Sequence, residues 1–597
     1  MMKRIPFFLF FVFLVFQVPA QQLPRPEYPR PQFERTDWIN LNGPWTYCFD
    51  FGNSGKDRNL EKSNGFDQKI IVPFCPESSL SGVEYKDFIN YMWYHKKVMI
   101  PSAWTDKKII LHFGAVYYET EIFINGKFAG RHYGGTSPFE LDISNLTIPG
   151  EKVNLVIHVS DNLRSNMQGG GKQCHNFYSE GCSYTRTTGI WQTVWMEAVS
   201  PFGLKQIHMI PDIDQKQLVI MPVFFNEDND NQLKITLKER GKTISEKTVK
   251  TSNSAVCVLP LKKMITWSPE DPFLYDLQFT VINSKKQVID KVKSYVGMRK
   301  ISIKGNRIYL NNVPYYQRLV LAQGFYPDGI WTAPSDKVLK HDIELMMQAG
   351  FNGARLHQKV FEERFNYWAD KLGFLTWAES SSWGLDVNSR EAARNFMSEW
   401  QENVVRERNH PSIITWTPFN ETWTPSEKEY PRFVRDIYNL TKSLDPTRPV
   451  NDASGDTHVV TDIWTVHNYE QNPEKLSRIL SPDSAGNVFT NYSDNPFAKY
   501  SGQPYLIDEF GGIKWNIENK KDKGWGYGNS PNTLNEFYNR LNGLVDTILK
   551  KDNVWGYCYT QFTDVEQERN GIYYYNRNLK FDMKKIHTIF SKKPENK

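Results

Sequence analysis

The feature that most restricts the fold is a change of period near residue 300. From Ile301 onward, short apolar runs alternate with helical stretches. Strands read at Tyr316–Leu321, Gly353–His357, Phe374–Glu379, Ile413–Trp416, Pro449–Ala453, Ile463–His467, Tyr505–Ile507 and Val554–Phe562. Between the first two, Ser335 is placed to cap a helix with Leu339, Ile343, Met346 and Met347 on one face and Gly350 at its end. A second helix near Glu362–Leu372 stops at Gly373. Roughly 290 residues of such alternation is the pattern of a closed (β/α)8 TIM barrel.

Upstream, no helical period is sustained. Pro24 to about Val199 carries alternating runs such as Lys108–Phe113 and Glu121–Asn125, with a hairpin signal at Asn125-Gly126. This predicts a jelly-roll β-sandwich whose Gly169–Gly171 and Arg186–Gly189 stretches are long loops able to reach a neighbouring site. From Pro201 to Arg299, the strands Gln217–Val223, Leu233–Leu237 and Leu277–Val281 predict an immunoglobulin-like β-sandwich acting as a spacer. The expected multidomain order is therefore a leader at 1–20, a jelly roll at 21–200, an immunoglobulin-like sandwich at 201–300 and the barrel at 301–597.

The leader reads as a secretory signal: Lys3 and Arg4, an apolar run from Ile5 to Phe16, then Val18-Pro19-Ala20 before Gln21. The run is too short for a bilayer core of about 30 Å, so no membrane anchor is expected, and the destination is the periplasm or the exterior. A net charge of +5 over 597 residues argues against a nucleic-acid partner or an acidic membrane surface. Eighteen Trp and thirty Tyr suit all-β parts or the stacking of sugars. The six cysteines lack C-x-x-C spacing, which argues against zinc. Cys174 and Cys182 are the only pair close in sequence, and free thiols are expected.

The chemistry centres on two acids at strand exits. Glu421 follows Ile413–Trp416, and Glu509 follows Tyr505–Ile507 with Gly511-Gly512 turning the chain beside it. A carboxylate directly after an apolar strand is costly unless it faces a polar site, and in a barrel those strand ends open into the active-site mouth. The interval holds three βα units of about 30 residues, which puts the acids on strands four and seven, facing each other. Two facing carboxylates are what glycoside hydrolysis needs; a structural ion pair is the alternative.

The segments Arg35–Trp45, Gly134–Phe139, Thr188–Trp195, Arg408–Ser412 through Asn420-Glu421, and Pro504–Gly512 together resemble glycoside hydrolase family 2, the β-galactosidase and β-glucuronidase family. The resemblance implies that Glu421 is the acid/base and Glu509 the nucleophile of a retaining mechanism, with carboxyl carbons about 5–5.5 Å apart. The charge of Glu509 is then expected to keep Glu421 protonated. Asn420 resembles the family residue that binds the sugar 2-hydroxyl. Arg355 and His357 resemble the Arg and His leaving the second strand; they either hold Glu509 ionised or form a structural pair. His467 and Tyr469 end the sixth strand, where the family has a Tyr near the nucleophile. Glu379 has no assigned role. Trp555 is either a stacking platform or core. Trp515, Trp525 and Tyr527, in the Gly- and aromatic-rich stretch after the seventh strand, form either a sugar-stacking wall or ordinary loop packing.

Three departures bear on substrate. Glu568-Arg569-Asn570-Gly571-Ile572 lacks the Asn-x-Lys with which family glucuronidases hold a carboxylate, and no acid-x-His follows Glu379, so no metal or other cofactor is expected. The loop Gln323–Gly329 also lacks the His-rich form found elsewhere in the family. The implied partner is an oligo- or polysaccharide, cut at a terminal β-galactoside-like sugar. α-L-Arabinopyranoside, β-glucuronide and β-mannoside remain alternatives, as does a non-catalytic carbohydrate-binding protein. The sequence leaves oligomeric state open.

Overall fold

The protein is described here from a computed structural model covering residues 23–422, 426–515 and 524–594; the expected leader lies outside these residues. Among the described residues no helix is long and apolar enough to cross a membrane.

The first β region folds as two antiparallel sheets. The larger runs in the order Gln68–Val72, Gly43–Phe49, Tyr91–Met99, Lys152–Ser160, Glu119–Ile124 and Lys127–Tyr133. The smaller holds Trp38–Asn40, Val194–Val199, Lys108–Phe113 and Phe139–Asp142. Leu155, Ile157 and Val159, alternate residues of one strand, meet Ile109, Leu111 and Phe113 in the shared core. Asn125 and Gly126 take φ of 50° and 76°, the left-handed pair that a two-residue hairpin requires. The second sandwich packs Leu204–Asp212, Gln217–Phe224 and Cys257–Pro260 against Lys242–Lys250, Gln232–Glu239, Tyr275–Ile282 and Val288–Val296.

The barrel strands are β1 (Gln317–Ala322), β2 (Gly353–Leu356), β3 (Leu375–Glu379), β4 (Ile413–Thr417), β5 (Ala453–Ser454), β6 (Trp464–Asn468), β7 (Tyr505–Gly511) and β8 (Val554–Thr560). Seven pair in parallel in the order β4-β3-β2-β1-β8-β7-β6. The eighth, β5, pairs with Phe419–Asn420 beyond the end of β4 and meets β6 through Gly455 N to Thr465 Oγ1 (3.1 Å). Helices follow every strand but β5: α1 (Asp336–Gln348), α2 (Glu363–Leu372), α3 (Arg390–Glu407), α4 (Glu429–Leu444), α5 (Pro473–Leu480), α6 (Leu534–Leu549) and α7 (Met583–Phe590). Ser335 holds the N-cap position of α1, but its hydroxyl makes no capping bond.

The floor of the barrel is where the second sandwich docks. Asn409 accepts from Met209 N (2.9 Å) and donates to Ile207 O (2.8 Å), pairing with the backbone of an edge strand. His410 Nδ1 sits 2.6 Å from Asp370 Oδ2, which also accepts from Tyr295 of the sandwich (2.8 Å). Trp555, read as a possible sugar platform, begins β8 and is buried at this floor beside Trp267 and Ile308, with the Arg307 guanidinium 4.8 Å from its ring. The position is a matter of strand direction: in a parallel barrel the first residues of a strand lie opposite the mouth.

Candidate active site

Arg355 leaves β2 fully buried, and four groups fix it at the centre of the mouth. Its Nε donates to Glu379 Oε2 (2.6 Å), and its Nη1 donates to Glu509 Oε1 (2.9 Å) and to Asp508 O (3.2 Å). Its Nη2 donates to Asn420 Oδ1. Removing one partner of such a buried pair costs about 3–5 kcal/mol, because the other charge is stranded. Glu379 is thereby explained: it orients Arg355, and its Oε1 takes the Gln358 N–H (3.0 Å) and lies 2.9 Å from His357 Nδ1. Burial, with Lys172 and Arg355 nearby, holds His357 well below the usual imidazole range, so it is a neutral member of this network.

Asn420 is positioned by both ends of its backbone, with N on Ser382 Oγ (3.2 Å) and O on Trp383 Nε1 (3.1 Å). Since Arg355 occupies its Oδ1, its buried Nδ2 is a donor with no partner among the described residues. Such an orphaned donor at a cleft is a ready ligand for a hydroxyl.

Glu509 reaches the mouth through an irregularity. Val466 pairs with Ile507 but His467 pairs with Glu509, so Asp508 is an extra residue in β7. A bulge of this kind re-aims side chains. Here it lets Asp508 and Glu509 both face His467 Nε2, each at 3.4 Å. Tyr469 OH donates to Glu509 Oε2, and the Tyr469 ring stacks on Tyr527 (centroids 3.4 Å apart, planes within 4°). Gly511 and Gly512 have φ of 81° and 59° as the chain turns away; a Cβ on Gly512 would lie 2.4 Å from the Tyr527 ring.

Glu421 stands opposite, its backbone also left-handed (φ 41°). Its Oε1 is 2.6 Å from His467 Nδ1. Oxygens of Glu421 and Glu509 lie within 4.8 Å of each other and of a His467 nitrogen. The side chain of Glu421 is 27% exposed and that of Glu509 6%, so an incoming group meets Glu421 first. Burial works against a charge on His467, but Glu509, Asp508 and Glu421 outweigh it and raise its pKa well above the usual value. Burial alone would raise Glu421, yet the imidazolium, aided by Lys172 and Arg355, holds its carboxyl below the ordinary range. Both directions favour a carboxylate at Glu421 beside an imidazolium at His467, against the protonated Glu421 expected from the sequence. With Nδ1 donating to Glu421 and Nε2 to the Ser454 hydroxyl (3.1 Å), a charged His467 has no lone pair to offer a metal.

Of the remaining sequence-predicted residues, Trp525 is near the site without walling it. Its indole N–H donates to Gly181 O of the first sandwich, and its ring meets Tyr527 edge-on at 5.3 Å. Trp515 turns into the barrel core against Phe537 (6.1 Å). The segment between them, 516–523, lies outside the described residues. Cys174 and Cys182 are free thiols, like the other four cysteines.

Besides Asp508, two site residues escaped the sequence. Lys172 arrives from the first sandwich on the glycine-rich loop; it is buried, with its ammonium 3.7 Å from the Trp383 ring. The loop is seated by Gly170 N to Trp383 O (2.6 Å) and by approaches only glycine permits, a Cβ on Gly169 lying 2.2 Å from Ser381 O. Glu568 is also buried; it accepts from Tyr184 OH and, at 3.0 Å, from Asn570 Nδ2. Burial raises its pKa, Glu509 adds to the rise and Lys172 opposes it.

Three family descriptions match successive parts of the chain: the sugar-binding domain of glycosyl hydrolases family 2 over residues 39–196, glycosyl hydrolases family 2 over 203–299, and the family 2 TIM barrel domain over 303–588. A β-galactosidase of Thermoanaerobacter pseudethanolicus is 23% identical over 79% of this chain and 63% of its own length. A β-glucuronidase of Paenibacillus borealis is 21% identical over 69% of this chain and 72% of its own length. A putative β-glucuronidase of Formosa agariphila is 26% identical over 68% of this chain, which spans only 50% of that relative. The β-glucuronidase of Ruminococcus gnavus, solved with D-glucuronic acid, superposes with a TM-score of 0.78 at 19% identity, covering 95% of this chain and 100% of that one, and so shares its fold. The two facing carboxylates thus sit in a three-domain frame matched from residue 39 to 588, and the chain belongs to glycosyl hydrolases family 2, a family of glycosidases.

Proposed function

We propose that the protein is an exo-acting retaining glycosidase that removes a terminal neutral sugar. The observation that carries this reading is the approach of the Glu421 and Glu509 carboxylates to within 4.8 Å, which leaves little room for an attacking water between them. Glu509, fixed by Arg355 and Tyr469, attacks the anomeric carbon. The glycosidic oxygen leaves with a proton from Glu421, and a glycosyl ester remains on Glu509. Substrate that seals the mouth desolvates Glu421 and favours its neutral form, so the proton crosses the 2.6 Å contact from His467 before it is donated. Esterification removes the charge of Glu509. Water then gives its proton to Glu421 and attacks the same carbon as the ester bond to Glu509 breaks; Glu509 leaves as a carboxylate, and the proton returns from Glu421 to His467. The free Nδ2 of Asn420 is set to donate to the sugar 2-hydroxyl.

Glu568 supports a neutral sugar over a uronate. It stands in the stretch where the family's glucuronidases carry Asn-x-Lys, and a buried carboxylate there repels another. A β-galactoside-like ring is the leading choice, and α-L-arabinopyranoside shares its configuration. The leader-like first twenty residues support action outside the cytoplasm.

A panel of nitrophenyl β-galactoside, α-L-arabinopyranoside, β-glucuronide and β-mannoside tests the reading; turnover of none would favour a carbohydrate-binding protein. Two variants test the roles. Glu509→Gln should abolish turnover with every leaving group. Glu421→Gln should give a burst of dinitrophenolate and a slow steady rate that azide accelerates, since azide attacks without a base. The opposite pattern would exchange the two labels.

A further inference from the structure

β6 lies at the open end of the seven-stranded sheet, because β5 pairs beyond the end of β4 and forms no ladder with it. The backbone groups of β6 that face this edge are nevertheless bonded, and their partners are side chains. The His458 Nε2 lies 3.3 Å from Thr465 N and 3.1 Å from Thr465 O. Two residues on, the Asn491 amide serves His467 from both ends. Its Oδ1 accepts from His467 N (2.9 Å), and its Nδ2 donates to His467 O (2.9 Å). With an acceptor and a donor side by side, one amide supplies what a neighbouring strand would.

Asn491 belongs to the long segment 481–504 between α5 and β7. A connection longer than about 12–15 residues in a compact domain usually has a task of its own. Residues 481–487 are exposed. The chain then returns to the barrel, with Val488 and Phe489 against the core and Asn495 Nδ2 on His458 O (2.9 Å). Asn491 is itself exposed, so it contributes its two bonds and little packing.

The residue it grips carries the imidazole that meets Glu421 at 2.6 Å. That ring lies over Gly455 (φ 61°), where an added Cβ would be 2.1 Å from the His467 Cδ2, and its Nε2 is 3.1 Å from Ser454 Oγ. Charged groups converge on it from every side: Glu421 after β4, Asp456 after β5, Asp508 and Glu509 on β7, and His357 on β2. Arg355 reaches the same Glu509 oxygen from β2. A ring so surrounded exchanges a proton with Glu421 only while its backbone stays in place.

We propose that Asn491 is a positioning residue for the acid/base: it clasps the backbone of His467 and keeps the imidazole against Glu421, so that the segment 481–504 governs the proton donor from outside the mouth. The inference rests on the glycosidase reading above.

Asn491→Ala removes the clasp. The alkaline limb of kcat/KM should move to lower pH, in the same direction as in His467→Asn, since a proton shared less well is released earlier. On a poor leaving group kcat should fall about tenfold, against less than about twofold on a dinitrophenyl glycoside. In the His467→Asn background, Asn491→Ala should add less than about a further twofold, because both act through one imidazole. Asp483→Ala is the control. It unties the exposed turn in which Asp483 accepts from Ala485 N (2.9 Å) and Asn487 N (2.8 Å), leaves β6 untouched, and should leave the limb in place. A readout without turnover is the proton between His467 Nδ1 and Glu421, expected as a far-downfield magnetic resonance signal that is lost in His467→Asn and moves upfield in Asn491→Ala. Additive loss in the double variant, equal loss on both leaving groups, an unmoved signal in Asn491→Ala, or an equal limb shift in Asp483→Ala would overturn the clasp. If no glycoside of the panel is cleaved while the signal still moves in Asn491→Ala, the glycosidase reading falls and the clasp on His467 stands.

Discussion

At Glu421 two influences of opposite sign meet. Burial favours the neutral acid, while the imidazolium 2.6 Å away favours the carboxylate and prevails in the free protein. The alkaline limb of kcat/KM should therefore report a proton shared by Glu421 and His467 and not the titration of an isolated carboxyl. In His467→Asn that proton has only Glu421 to occupy, without an imidazolium stabilised by three carboxylates. The limb should move to lower pH, and kcat should fall about 10²-fold on poor leaving groups, the range of general acid catalysis, with little loss on dinitrophenyl glycosides. A limb that stays in place would show that His467 does not hold the proton. The same geometry bears on metals: an imidazolium donating from both nitrogens cannot ligate one, so a chelator should leave activity intact. Loss restored by magnesium would refute that.

At the scale of elements, the loop between the strand ending at Ser160 and the strand starting at Gly189 carries its own pH dependence. Asp161 opens it, accepting from Gln168 Nε2 (2.8 Å) and Thr188 Oγ1 (3.2 Å), and Glu77 accepts from Thr188 N (3.2 Å). Burial pushes both carboxyls up to about 7. Unfolded values lie near 4, so the folded loop binds these protons more tightly; the stabilisation is full below about pH 4 and is lost as pH rises through 7. Amide protection across 163–188, corrected for intrinsic exchange, should fall on the order of tenfold between pH 5.5 and 8, and Asp161→Asn should flatten part of that slope. Unchanged protection would mean the acids do not hold the loop. This element also marks where sequence reading stops. Glu421 and Glu509 were legible because each acid follows its own strand within a few residues. Asp508 was not, since strand parity turns it outward and only the slip in pairing with β6 brings it in. Lys172 and Glu568 come from chain positions almost four hundred residues apart, and nothing local announces that the charge of one bears on the other. For Trp555 the residue type left platform and core open, and its place at the start of β8 decides for the core at the floor.

For the whole molecule, the active site is a joint product of the first sandwich and the barrel, joined by backbone contacts such as Gly170 N to Trp383 O and by side chains such as Tyr184 on Glu568. The acid/base signature itself divides this way: Asn409 and His410 dock the second sandwich to the floor, and only Asn420 and Glu421 reach the chemistry. At the mouth the fit depends on Gly169, whose added Cβ would lie 2.2 Å from Ser381 O, a backbone atom that cannot swing aside. Gly169→Ala must lift the loop or displace the segment after β3. Lys172 and Trp383 then move relative to Glu421, and Asn420, tied through its carbonyl to the Trp383 indole, moves with them. A misplacement of about 1 Å in such a constellation can cost about 10²-fold, so kcat/KM should fall by about 10–10²-fold with unchanged far-ultraviolet circular dichroism. Gly52→Ala, in the same sandwich with nothing within 4 Å of its added Cβ, is the control and should retain activity within about twofold. If Gly169→Ala matches that control, the barrel works alone and the first sandwich is only its neighbour. If it falls as expected, the first sandwich forms part of the catalytic mouth.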